Sequence, residues 1–160
     1  MLNSDTEYGS IEREIHIDAT PDVVYEVIST PEHLREWWPK DAQLTAKPGA
    51  TGVIWFSDGK TADLHPVGLT VVEADPPRRF SFRWVYDEGA TASPDNSLLV
   101  TFDLIPSGAA GTLLRFSETG YRERGWEVAV LEETYRNNVN GWDYFLPRLV
   151  TYVARLASTR

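Results

Sequence analysis

The residues that could carry chemistry here are aromatic rings and a few scattered polar groups. Six tryptophans are present, at 37, 38, 55, 84, 126 and 142, and there is no cysteine. The missing thiols remove disulfides, thiolate nucleophiles and thiolate metal sites together. The three histidines, His16, His33 and His65, form no HxH or HxxxH pair with a second ligand, so no metal site is expected. No serine elbow and no phosphate-binding glycine loop is present. What is left suits an apolar pocket with a few polar groups, the usual form of a small-molecule site.

The elements that must position these residues follow from periodicity. Ile11 to Ile17 alternates as a strand, with Ile11, Ile15 and Ile17 on one face and Glu12 and Glu14 on the other. Thr20-Pro21 and Thr30-Pro31 then open two short helices. In each pair the threonine hydroxyl is expected to cap and the proline to take the first helical position. Asp22 and Glu32 suit the positive helix end, and Pro39 stops the second helix just after Trp37-Trp38.

Strand signals fill the middle of the chain. They run over residues 50–57, then past a turn at Asp58-Gly59 into a second strand of a hairpin, then over 67–74, 79–86, 98–105 and 112–119. In 79–86, Phe80, Phe82, Trp84 and Tyr86 share one face. From about Trp126 to about Leu156 the period changes. Val128, Leu131, Tyr135, Val139, Trp142, Leu146, Leu149, Val153 and Leu156 mark one long amphipathic helix. Gly141 is expected to let the sheet approach closely, and Pro147 to kink the helix. The expected fold class is α+β: a curved antiparallel sheet of about six to seven strands gripping a long C-terminal helix, with two short helices after strand 1. Residues 1–10 read as a flexible tail and 11–157 as one domain.

Within this plan the expected cavity lies between sheet and long helix. Its candidate lining is Trp37, Trp38, Trp55, His65, Trp84, Tyr86, Phe102, Phe116, Glu118, Tyr135, Asn138 and Trp142. If Leu114 and Phe116 point inward, alternation turns Glu118 inward as well. A carboxyl in an apolar site has a raised pKa and can act as acid, base or ligand anchor. The other reading of Glu118 is a strand end near solvent, or a partner for an arginine. His65 stands beside Pro66, where alternation is unreliable, and is either a cavity base or an ordinary surface histidine. Tyr135 and Asn138 share the inner side of the long helix. Asn138 can equally cap a bent turn or face water.

Composition narrows the classes further. A chain of 160 residues with 42% hydrophobic content suits one core. A net charge of −9 argues against nucleic-acid partners and anionic membrane surfaces. No apolar run approaches a membrane span, and MLNSDTEYGS has neither the basic region nor the apolar core of a signal peptide, so a cytoplasmic location is expected. Twelve arginines to three lysines hint at a GC-rich bacterial gene.

Four segments, IEREIHIDATPDVVYEVISTPEHLREWW, GLTVVEADPPRRFSFRW, GTLLRFSETGY and NGWDYFLPRLVTYVARL, follow one another in an order that resembles the START-like helix-grip superfamily. Within it, the chain is most similar to the branch named for homology to the activator of heat-shock protein 90 ATPase. The resemblance runs from about Ile11 to about Ala157. It implies the helix-grip fold and a cavity, but it does not imply one function, because a fold hosts many activities. The leading expectation is a non-catalytic binder of a small, apolar or aromatic molecule, without cofactor. The alternatives are an enzyme of the polyketide cyclase or dehydratase type, using Glu118 or His65, and a co-chaperone-like stress protein. A homodimer is compatible with the sequence. A chaperone partner is suggested by the branch name and has no support in the residues.

Overall fold

The computed structural model describes residues 8–57, 59–87 and 89–159. Seven strands form one antiparallel sheet: β1 (Ser10–Ile17), β2 (Asp41–Gln43), β3 (Thr51–Ser57), β4 (Leu64–Asp75), β5 (Arg79–Trp84), β6 (Leu98–Ser107) and β7 (Gly111–Thr119). Their spatial order is β1-β7-β6-β5-β4-β3-β2. Helices α1 (Pro21–Ser29) and α2 (Pro31–Trp37) carry the chain from β1 at one edge to β2 at the other. A meander then returns strand by strand until β7 pairs with β1, Ser10 opposite Thr119 and Ile17 opposite Thr112. Helix α3 (Val128–Ser158) packs on the same face as α1 and α2.

The long helix matches its periodicity. Tyr135, Trp142, Leu146, Leu149 and Val153 are its buried residues, a stripe spaced by three, four or seven positions. Pro147 stands on the exposed side, and α3 runs through it. The sheet's outer face is charged instead. Arg115 pairs with Glu14 at 2.7 Å, and Arg79 with Asp103 at 2.6 Å and Glu73 at 3.3 Å. Such exposed pairs contribute little stability each but keep this face wet.

Several local expectations are corrected. The prolines take the first helical turn, but neither Thr20 nor Thr30 caps through its hydroxyl. The threonine carbonyls do the work: Thr20 O accepts from the Val23 and Val24 N–H groups at 3.1 Å, and Thr30 O from those of His33 and Leu34. With those donors satisfied by the backbone, the side chain has little left to do. Residues 64–75 form one twelve-residue strand rather than two pieces, and the short β2 makes up the number. Gly59 has φ +75°, as a turn requires, whereas Asp58 lies outside the described residues. Gly141 does not serve close packing, since a Cβ built there meets nothing within 4 Å. Of the expected tail, residues 1–7 lie outside the described residues. Ser10 opens β1, and the Tyr8 ring packs edge-on against Tyr135 at 5.3 Å.

Strand β5 ends earlier than its aromatic alternation suggests. Val85 has φ +60°, an unusual value for a β-branched residue. The chain therefore turns after Trp84, and Tyr86 leaves the shared face. Its hydroxyl meets Thr70 Oγ1 at 2.8 Å.

Helices α1 and α2 are tied to α3 by a three-residue relay. His33 of α2 hydrogen-bonds through Nε2 to Glu26 Oε2 of α1 at 2.7 Å, and through Nδ1 to the Tyr152 hydroxyl of α3 at 2.6 Å. Arg148 of α3 adds a bond from Nε to the Trp37 carbonyl at 3.3 Å.

A buried carboxylate among tryptophans as candidate functional site

Strand β7 buries Thr112, Leu114, Phe116 and Glu118 in alternation. The pleat thus delivers a carboxylate to the core side, where Glu118 is 0% exposed. An uncompensated charge there is very costly, so the surrounding groups must supply hydrogen bonds. Four do so. Trp84 Nε1, at the end of β5, donates to Oε2 at 2.8 Å. On α3, Trp142 Nε1 and Asn138 Nδ2 donate to Oε1 at 3.2 Å and 3.1 Å. The fourth donor is the Tyr121 hydroxyl, also to Oε1.

Tyr121 reaches back because of Gly120. That residue has φ +105°, and a Cβ on it would stand 2.8 Å from the Ser97 carbonyl oxygen. Only glycine fits such a reversal. Asn138 Nδ2 also donates to the Tyr121 hydroxyl at 3.0 Å, so phenol, carboxamide and carboxylate form one closed network. The Tyr121 ring lies edge-on to Tyr135 at 5.1 Å, and Tyr135 donates its hydroxyl to the Ser10 carbonyl at 2.7 Å.

Burial pushes the Glu118 carboxyl above the ordinary glutamate range, and the bonds from Tyr121, Trp84, Asn138 and Trp142 oppose that shift. Tyr121 is raised as well, first by burial, then by the charge and hydrogen bond of Glu118. The four partners of the carboxylate are all neutral.

Rings surround this network. Trp142 lies 4.6 Å from Phe116, 5.0 Å from Trp38 and 5.8 Å from Trp84, centre to centre. Phe102 continues the wall from Phe116 at 5.4 Å and touches Trp37 at 6.4 Å. Trp38 sits in the middle, with Trp84 at 5.3 Å, Phe82 at 5.7 Å, and Phe56 and Trp37 at 5.8 Å. Side chains thus occupy the space between β5, β7 and α3 where a cavity was expected. Open clefts lie elsewhere. One of about 630 Å³ lies against Arg79, Asp103 and Arg115, and one of about 540 Å³ runs along Pro31, Arg35 and Gln43.

Of the candidate residues, the structure brings together Trp37, Trp38, Trp84, Phe102, Phe116, Glu118, Asn138 and Trp142, with Tyr135 joined through Tyr121. Three stand apart. His65 is exposed on β4 opposite Phe56. Trp55 is half-buried, and alternation sets it on the face opposite Ile54 and Phe56. Tyr86 is bonded to Thr70. Sequence reasoning missed Tyr121, Phe56 and Phe82 as site residues. Phe82 was visible on the aromatic face of β5. Phe56 was visible as the core-side neighbour of Ile54, and Tyr121 as the ring following a glycine-enforced reversal.

Solved structures share this architecture. Protein NE0264 from Nitrosomonas europaea is similar with a TM-score of 0.74 and 15% identity, over 98% of this chain and 99% of that one. The Aha1 dimer from Colwellia psychrerythraea has a TM-score of 0.67 and 19% identity, over 90% and 95%. DynU16, described as a putative protein in the dynemicin biosynthetic locus, has a TM-score of 0.67 and 21% identity, over 95% of this chain but only 49% of that one. These likenesses show the helix-grip fold alone. No curated protein matches the sequence. The family model described as "Activator of Hsp90 ATPase homolog 1-like protein" matches residues 18–154, and the chain belongs to that family.

Proposed function

We propose that this protein binds a small, largely apolar ligand between the sheet and α3, without transforming it. One observation carries the reading: a fully buried carboxylate held by four donors, two of them indoles that also form the surrounding aromatic wall. Aromatic surface supplies affinity and a single polar cluster supplies orientation, the division of labour found in ligand pockets. Trp38 fills the centre of the ring cluster, so ligand entry requires its indole to move. A lipophilic panel including an apolar dye and a fatty acid tests this. Binding quenches tryptophan fluorescence and raises Tm, because a ligand that prefers the folded state stabilises it. Absence of both effects across the panel overturns it.

A second reading is favoured by the Glu118–Tyr121 bond. A buried carboxyl with raised affinity for its proton, bonded to a phenol, has the form of a general acid or base. The cyclase or dehydratase alternative then rests on Glu118 alone, since His65 is exposed on another part of the sheet. Turnover of a cyclisable polyketide substrate that falls by about 10²–10⁴-fold in Glu118→Gln would establish it. Absence of turnover in the wild type leaves the binder.

A further inference from the structure

We propose that the ligand is an organic cation, an amine or quaternary ammonium on an apolar body, held over the rings of Trp84 and Trp142 in the place that Trp38 now fills. This rests on the binding reading above and narrows it to one chemical class.

The first argument is electrostatic. Trp84 and Trp142 each donate their only N–H to Glu118. An indole can only donate, so these two partners complement a carboxylate rather than a carboxylic acid. Donation to an anion polarises the donor, and inside a low-dielectric core that polarisation is not screened. The ring faces of both indoles thereby become more negative, on the ring type that already attracts cations best.

Charge balance is the second argument. Glu118 is fully buried, and its partners are two indoles, a phenol and a carboxamide. No positive charge reaches it through those bonds. A cation seated one ring away supplies the missing sign. The net charge of −9 draws such a ligand towards the protein and repels carboxylates.

Geometry is the third. The Trp38 ring is boxed by Trp142, Trp84, Phe82, Phe56 and Trp37, with centres 5.0–5.8 Å away. An indole-sized space bounded by rings is the form of an aromatic cage. Trp38 is also the ring best placed to leave. It follows the last residue of the seven-residue helix α2, at φ −126° and ψ −92°, and Pro39 comes next. Its displacement breaks no strand pairing. At 6% exposure it stands at the rim of the core, whereas Trp37 is wholly enclosed.

Calorimetric and fluorescence titration of the whole chain with phenyltrimethylammonium and with tert-butylbenzene tests this, since the two differ in charge and hardly in shape. The wild type should bind the cation on the order of tenfold more tightly. Trp38→Ala should tighten cation binding further, by vacating the box. Glu118→Gln should narrow the preference to within about threefold, by removing the polarising charge. Trp84→Phe removes one N–H and also exchanges an indole for a ring that attracts cations less, so it too should lower the preference for the cation, and it replaces Glu118→Gln as the test if that variant fails to fold. Equal or tighter binding of tert-butylbenzene by the wild type overturns the cation and leaves the binder. Binding of neither compound, by wild type or by a folded Trp38→Ala, together with a silent lipophilic panel, overturns both. A preference that survives unchanged in folded Glu118→Gln or Trp84→Phe also overturns the inference.

Discussion

Tyr121 turns back through Gly120 to place its hydroxyl on Glu118 Oε1, three residues earlier in the chain. The strand that buries the carboxylate and the loop that satisfies it are therefore one continuous segment. Helix α3 then closes the network through Asn138 and Trp142. Stability and site geometry depend on the same bonds, and the following outcomes separate them.

Glu118 should make stability pH-dependent. Its folded-state pKa is raised above the ordinary 4.5, mainly by burial. The folded protein thus holds this proton more tightly than the unfolded chain does. The associated stability is fully present below about pH 4.5 and is lost as pH rises through the folded value. Glu118→Gln cannot ionise, and it loses hydrogen bonds worth roughly 1–3 kcal/mol. The stability gap between wild type and Glu118→Gln, measured by urea denaturation, should narrow as pH rises from 4.5. A gap that widens would contradict the raised value.

Trp142 combines a ring in the core with an N–H in the network. Trp142→Ala should lower unfolding free energy by roughly 3–5 kcal/mol. Trp142→Phe, which keeps a ring and drops the donor, should cost about 1–2 kcal/mol. Denaturant melts of the pair divide packing from hydrogen bonding. A loss under about 1 kcal/mol for the alanine variant would place the ring outside the core.

Two glycines should respond in opposite directions. Gly120→Ala puts a Cβ 2.8 Å from the Ser97 carbonyl at φ +105°, and should cost about 1–3 kcal/mol and disturb the Tyr121 signal in near-UV circular dichroism. Gly141→Ala meets nothing within 4 Å on a helix, and should stabilise by about 0.5–1 kcal/mol. Thermal melts showing the same sign for both would refute this account.

His33 should hold α1 and α2 to the long helix. Tyr152→Phe removes the hydroxyl that meets Nδ1, and His33→Ala removes both bonds of the relay. Expected losses are about 1 kcal/mol and about 2 kcal/mol. Hydrogen exchange should quicken in α1 and α2 and leave β6 and β7 unchanged, because the lesion lies outside the sheet. Uniform quickening would mean that the relay supports the whole fold.

Periodic features were legible in the sequence, and reversals were not. Thirty residues of helical period make α3 unmistakable, and the two-residue alternation of β7 turns Glu118 inward once Phe116 is inward. Trp55 falls outside the site because Ile54 is buried and alternation puts Ile54 and Phe56 on the core side, which turns Trp55 to the other face. Tyr121 was overlooked because alternation stops at Thr119, and the path beyond depends on the positive φ of Gly120. Tyr86 failed for the same reason at Val85. The threonine caps failed because backbone carbonyls had already taken the N–H groups a hydroxyl would serve. Whether rings line a space or fill it depends on rotamers, and no pattern in the sequence encodes that.

The pairing of β1 with β7 imposes an order on biosynthesis. Ser10 cannot find Thr119 until nearly the whole sheet has left the ribosome. Until then the first strand, α1 and the tryptophan-bearing α2 have no floor to lie on. Such non-local closure is slow, and apolar surface left uncovered meanwhile invites association between nascent chains. Slower elongation after residue 119 should therefore matter less to the yield of folded protein than crowding of chains halted before it.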